Sequence, residues 1–175
     1  MAIKPVVHYP ARVLKGISGP VGEIGDTERG LAEDLVDTMY DSPGCVGIAA
    51  PQIGVPLRAF ALDVSVMKKP PEHHHGLVVL FDPELLLAEG GEVKREGCLS
   101  VPDYTCDVRR ATSIVVSGRT PEGEHRVVEA GGFEARAFQH ELDHLDGLLI
   151  LDRVASVRHD VFRRKRYAER GEHNK

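Results

Sequence analysis

Gln139-His140-Glu141-Leu142-Asp143-His144-Leu145-Asp146-Gly147 contains the pattern His-Glu-x-x-His and ends on a glycine. A helix is the conformation in which that pattern acquires chemistry. Residues four apart share a helical face, with Cβ atoms roughly 5–6 Å apart, so His140 and His144 can grip one ion together. Glu141 lies one position on, close enough to reach a water on that ion without being obliged to ligate it. Two neutral imidazoles that fix a metal, and a carboxylate that takes a proton from its water, make a hydrolytic site. Phe138, Leu142 and Leu145 supply an apolar face to the same helix. The spacing therefore predicts a helix over about 133–146, packed into a core on one side, open to a cleft on the other, and stopped at Gly147. The alternative for the same letters is a pair of hydrogen-bonded histidines on an amphipathic helix.

The third ligand decides the class. In metzincin proteases a third histidine follows three residues after the glycine, and here that position is Ile150, which cannot ligate. A downstream carboxylate, as in the gluzincins, leaves Glu169, in a charged terminal segment that reads as solvated. The other candidate is Cys98, in Glu96-Gly97-Cys98-Leu99-Ser100. A lone thiol is commonly a buried structural group. Gly97, however, allows a ligand or substrate to lie close against the backbone. Glu96, if buried beside the site, needs a cationic partner, and Arg109 or Arg110 can supply it.

Outward from these blocks, Thr27 is placed to cap a helix over about 28–41, with Leu31, Leu35, Val36 and Met39 as its buried stripe. Residues 57–63, 77–81 and 92–100 read as strands. Residues 112–117 and 125–129 alternate around Thr120-Pro121-Glu122-Gly123 and read as a hairpin. The segment 68–76 reads as an exposed loop; its run His73-His74-His75 cannot present all three rings to one side. Residues 1–26 read as extended and irregular, and a second, basic helix is expected over about 153–170. Strands without βαβ regularity, flanked by helices, give an α+β class. The expectation is antiparallel or mixed sheets around a central helix carrying His-Glu-x-x-His, with a further C-terminal helix. One domain over 1–175 is expected, with a flexible tail at about 168–175.

Composition narrows the rest. The chain has 175 residues, of which 42% are hydrophobic, with no Trp and a formal net charge of −5. That balance supplies no broad field for nucleic acid, so no DNA partner is expected. No leader pattern and no run near the roughly 18 apolar residues of a membrane span is present, which points to a cytoplasmic protein with no membrane partner. Three cysteines, Cys45, Cys98 and Cys106, make an odd count that argues against a disulfide framework. Cys106 reads as structural.

Three blocks occur together and in order: Val46-Gly47-Ile48-Ala49-Ala50-Pro51-Gln52, then Glu96-Gly97-Cys98-Leu99-Ser100, then Gln139 to Gly147. Together they resemble the three signature motifs of the peptide deformylases, the second and third without exception. The resemblance extends over roughly 5–160, through His8-Tyr9-Pro10, Asp37-Thr38-Met39-Tyr40 and Asp82-Pro83-Glu84-Leu85. The family usually has a glycine two residues before Gly47, where this chain has Cys45.

The resemblance implies a metallohydrolase that removes the N-formyl group from the N-terminal methionine of new polypeptides and releases formate. It implies that Cys98, His140 and His144 hold the ion, with water in a fourth position, and that Glu141 is the catalytic base and then acid. Gln52, through its side-chain N–H, and Leu99, through its backbone N–H, then stabilise the oxyanion. Backbone groups of Val46, Gly47 and Gly97 align the peptide as an added strand. Phe138 and the neighbours of His140 are expected to line a methionine pocket, with Ala49 and Ala50 beside the formyl group. The implied ion is Fe2+, replaceable by Zn2+, Ni2+ or Co2+. The implied partners are N-formylmethionyl peptides and, through the basic C-terminal helix (Arg153, Arg158 and the run Arg163-Arg164-Lys165-Arg166), the ribosome. Three rivals stand beside this reading: a hydrolase with Cys98 as nucleophile and His140 or His144 as base; a structural metal module with Cys45 or Cys106 as fourth ligand; and a deformylase-like hydrolase with an altered acyl or peptide substrate, which Cys45 keeps open.

Overall fold

In chain order the computed structural model, which describes residues 2–164, contains helix α1 (Asp26–Asp41), strands β1 (Gly47–Ala49), β2 (Ala59–Leu62), β3 (Val78–Glu89), β4 (Glu92–Cys98), β5 (Val101–Arg110), β6 (Ser113–Arg119) and β7 (His125–Gly131), helices α2 (Gly132–Leu145) and α3 (Val157–Asp160), and strand β8 (Val161–Arg163). The class is α+β. Five strands form one sheet in the order β1-β2-β3-β6-β7, and β4-β5-β8 form a second. Among the described residues every ladder is antiparallel, and the one parallel pairing is an isolated bridge between Gly19 and Leu57.

The larger sheet is covered on both faces, and β2 shows why its sequence is apolar without interruption. Successive side chains on a strand point to opposite faces. Ala59 and Ala61 pack with Leu31, Ala32, Leu35 and Met39 of α1. Phe60 and Leu62 pack with Ala135, Phe138, Leu142 and Leu145 of α2. Phe60 meets Phe138 edge to face at 5.7 Å between ring centroids, a favoured aromatic geometry. The smaller sheet has its own core, in which Val101, Cys106 and Val108 pack with Leu14, Leu149 and Ile150.

Helix α2 ends where the sequence places its stop. Gly147 has φ of +71°, a conformation that glycine alone adopts without penalty. A Cβ there would also lie 2.8 Å from the backbone carbonyl of Lys15. Helix α1, by contrast, starts before Thr27. The N–H of Gly25 donates to the Glu28 carboxylate at 2.9 Å, so a first-turn acid rather than the Thr27 hydroxyl satisfies the helix start.

The expected basic helix over 153–170 is corrected. Over the described part of that span, 153–164, only α3, of four residues, is helical, and β8 follows it directly. Val161, Phe162 and Arg163 pair with Cys106, Thr105 and Tyr104 on the open edge of β5. The backbone groups of that edge supply hydrogen bonds that outweigh a helical preference in so short a segment. Residues 165–170, Glu169 among them, and the tail at 168–175 lie outside the described residues. Among the described residues no helix is long and apolar enough to cross a membrane.

Candidate metal centre

The two sheets meet at the three motif blocks. Cys98 is the last residue of β4, and His140 and His144 occupy successive turns of α2. One ligand atom from each of Cys98, His140 and His144 lies within 4.8 Å of the others. The Cys98 Sγ is 3.3 Å from His144 Nε2, and the two imidazoles stand 5.0 Å apart at 71°. Cys98 and His144 are 3% and 1% exposed, so the donor set sits inside the protein rather than on its surface. One sulfur and two imidazole nitrogens suit a borderline divalent ion such as zinc or ferrous iron.

The electrostatics favour the ligating form of Cys98 and, in the metal-free chain, the protonated form of His140, whose proton an arriving ion would displace. Burial would raise the Cys98 thiol, but His144 and His140 beside it outweigh burial and hold it well below the ordinary thiol range. The thiolate is the form that binds metal. Burial would lower His140, and contacts with Cys98 and Glu96 outweigh it in turn and hold His140 well above its ordinary value.

Behind the ligands lies a buried ion-pair network. Glu96 accepts from Arg110 Nε at 2.9 Å, Arg110 Nη2 at 3.0 Å and Arg136 Nη1 at 2.7 Å, and its Oε2 lies 3.0 Å from His140 Nδ1. That last contact leaves the other nitrogen of His140 for the metal side. Arg110 also donates to Asp143 at 2.5 Å, and Arg153 grips Asp143 at 2.5 and 2.9 Å. Burial would raise the Glu96 carboxyl; His140 and Arg110 reverse that and bring it down to about 2. Of the two arginines offered from sequence, Arg110 is the partner of Glu96. Arg109 lies against Gly91 instead. Arg136 was not foreseen, although it stands one helical turn before His140 and so shares its face.

Glu141 is treated differently from Glu96. It is 3% exposed, and its Oε2, like His144 Nδ1, has no hydrogen-bond partner among the described residues. Burial, with Cys98 and Glu96 adding and the two histidines opposing, pushes its carboxyl up to about 7. Gly47 makes room for it, since a Cβ at 47 would sit 2.5 Å from Glu141 Oε1. Gln52 is anchored by the Ala49 N–H, which donates to its Oε1 at 2.9 Å. Its Nε2 donates to Ser100 Oγ at 3.2 Å and lies 3.7 Å from Cys98 Sγ.

These groups line a cleft of about 280 Å³, with Val46, Gly47, Gly97 and Leu99 on its walls. Phe138 is not among them. It is fully buried under the large sheet, and the aromatic wall of the cleft is Phe133. One helical turn separates 133 from 137, and both face the cleft, whereas 138 points to the core. Ala49 and Ala50 are fully buried beneath the site rather than lining it. Cys45 does line the cleft; its thiol donates to the Gly47 carbonyl at 3.1 Å and is pushed up to about 12, chiefly by burial. Cys106 is buried in the core of the small sheet. Neither Cys45 nor Cys106 joins the ligand cluster among the described residues. In the histidine run, His75 is tied down: its backbone N–H and Nδ1 both meet the buried Glu134 carboxylate, at 2.8 and 2.9 Å.

Comparison with known proteins gives a consistent result. Residues 3–160 match the model of the family described as Polypeptide deformylase. A peptide deformylase from Thermodesulfovibrio yellowstonii is 39% identical over 165 residues, covering 94% of this chain and 97% of that protein. One from Rhizobium meliloti is 42% identical over 165 residues, covering 94% and 92%. Among solved structures, a peptide deformylase from Thermotoga maritima superposes with a TM-score of 0.80 at 34% identity, over 89% of this chain and 100% of that one. A Met-Ala-Ser-bound class I type b peptide deformylase from Acinetobacter baumannii superposes with a TM-score of 0.81 at 34% identity, over 87% and 99%.

Proposed function

The chain belongs to the polypeptide deformylase family, and we propose that it removes the formyl group from N-terminal formylmethionine of new polypeptides with Glu141 as the proton-transferring group. The observation that supports this role best is the state of Glu141: a buried carboxyl, one residue from a ligand histidine, with an unpartnered oxygen and a proton affinity brought up to about 7. A general base works best when poised near the working pH.

Cys98, His140 and His144 would hold one divalent ion. When bound, such an ion supplies an acidified water and polarises the carbonyl to be attacked. Glu141 takes the proton of the attacking water and returns it to the departing amine nitrogen, acting as base and then acid. Gln52, pinned through its Oε1, keeps its amide N–H directed toward the site. With the Leu99 backbone N–H it supports the oxygen of the formyl carbonyl as charge builds there. Glu96 fixes the ring of His140. Val46, Gly47 and Gly97 offer backbone groups to the peptide as to an added strand, and Phe133 and Ala137 offer apolar wall to the methionine. The bound Met-Ala-Ser of the Acinetobacter protein is in keeping with a cleft that takes a short peptide.

The ion is proposed to be Fe2+, in a cytoplasmic protein. The basic C-terminal segment is proposed to contact ribosomal RNA, an idea that cosedimentation with ribosomes unaffected by salt or by deletion of 160–175 would end.

The test is formate release from formyl-Met-Ala-Ser by anaerobically purified protein of known metal content, beside Glu141→Ala. Expected are one metal per chain in both, formate from the wild type, and a loss of at least ~10²-fold in the variant. Activity that survives complete metal removal would transfer the chemistry to Cys98 as nucleophile. Bound metal without formate release would end the deformylase reading.

A further inference from the structure

Strand β8 brings a cation to the mouth of the cleft. Gly97 of β4 pairs with Thr105 of β5, and Thr105 pairs with Phe162 of β8. Side chains on a strand alternate between faces, so Arg95, Gly97, Asp107, Phe162 and Arg164 belong to one face of the small sheet, opposite the buried face that holds Glu96 and Cys106. Arg164 continues the pairing one residue past β8, with its N–H donating to the Asp103 carbonyl at 2.8 Å. Its guanidinium lies directly over Gly97, where a side chain at 97 would collide with it, and it lines the cleft.

The charges on this wall are unequal in their freedom. Arg95 is spoken for: it pairs with Asp107 and stacks over the Phe162 ring at 3.4 Å. Arg136 is buried on Glu96. The two carboxylates of the cleft wall, Glu96 and Glu141, are 6% and 3% exposed and face inward. Arg164 is exposed and makes no ion pair with another described residue. The chain as a whole carries a formal charge of −5, yet the outer part of this cleft presents an unspent guanidinium. That group is suited to bidentate recognition of a carboxylate.

We infer that Arg164 is a specificity-determining residue, which receives a carboxylate from the peptide residues that follow the formylmethionine. The inference rests on the deformylase reading, because it takes the peptide to run along Gly97. A peptide strand laid there passes beneath the guanidinium, and an acidic side chain on the sheet-outward side meets it. A lysine in the same place meets like charge.

The test compares C-terminally amidated formyl-Met-Asp-Ser and formyl-Met-Ala-Asp with their lysine counterparts, so that the side chain is the only carboxylate. For the wild type kcat/KM is expected to favour one acidic peptide over its lysine counterpart by roughly three- to tenfold, carried by KM and weakened by salt. In Arg164→Ala the ratio should fall to about one, and Arg164→Lys should keep part of it. A wild-type ratio near one, or a ratio unaltered in Arg164→Ala, overturns the inference. Failure to release formate from any peptide is a separate result, against the deformylase reading. Calorimetric titration of the unformylated amides of the preferred acidic peptide and of its lysine counterpart into the whole protein and into Arg164→Ala then reads the same preference without catalysis, and equal binding of the two by wild type sinks it.

Discussion

Two neighbours on one strand, Arg95 and Glu96, each pair with an opposite charge on β5, and the two pairs have different worth. Arg95 and Asp107 meet across the solvent face with side chains 46% and 30% exposed. Glu96 and Arg110 meet on the inner face with side chains 6% and 4% exposed. The chemistry is the same, carboxylate on guanidinium. Water screens the first pair and gains little from losing it. The second pair has been taken out of water, so each partner depends on the other, and Arg136, Asp143 and His140 depend on both. A strand's two-residue period thus divides a surface ornament from the frame that aims a metal ligand.

The largest effect is expected from Glu96→Ala. It leaves the buried Arg136 without a carboxylate and Arg110 with Asp143 alone, and frees His140 Nδ1. Breaking a buried pair this way costs about 3–5 kcal/mol, and loss of the contact that orients a ligand costs about 10- to 100-fold in metal affinity. Denaturant unfolding and a metal titration read the two separately. A stability change under 1 kcal/mol would abolish the distinction drawn between the two faces.

Glu141 is a buried carboxylate with no cation assigned to it, and it sharpens the contrast with Glu96 by sign. Folding raises its carboxyl from an ordinary 4.5 to about 7, so the folded chain favours the protonated form. That contribution is whole below about pH 4.5 and is lost as pH rises through about 7. In metal-free protein, Glu141→Gln should therefore be more stable than wild type at pH 8, by up to about 3 kcal/mol, and near parity at pH 4.5. Urea midpoints that differ equally at both pH values would remove the burial argument. The smallest effect belongs to the outer pair: Asp107→Ala should cost less than about 1 kcal/mol, since Arg95 keeps its stacking on Phe162.

The candidate ligand cluster was legible because its chemistry is periodic. His140 and His144 are one turn apart, Cys98 sits in an unbroken block, and Glu141 follows from the helix. Leu142 and Leu145 marked the buried face correctly. What failed did so where pairing across the chain decides the outcome. Phe138 and Phe133 lie on one helix, and only the position of the large sheet says which of them faces the cleft. Arg153 reads as part of a basic C-terminal helix, yet it pairs with the buried Asp143 at 2.5 Å while its own side chain stays 44% exposed. Val161 and Phe162 sit in a basic stretch that suggests a helix, and the vacant edge of β5, far away in sequence, turns them into a strand. Arg136 had a local signal, its spacing from His140, that was available and unused.

The candidate ligands also come from both halves of the molecule. Cys98 closes a strand of the small sheet, while the two histidines ride on the helix that covers the large one. An ion shared among them would be a rivet between two plates. Removing it should loosen the join, so amide hydrogen exchange in β4 and β5 should quicken in metal-free protein, and exchange rates unchanged by metal removal would show that the plates hold together without it.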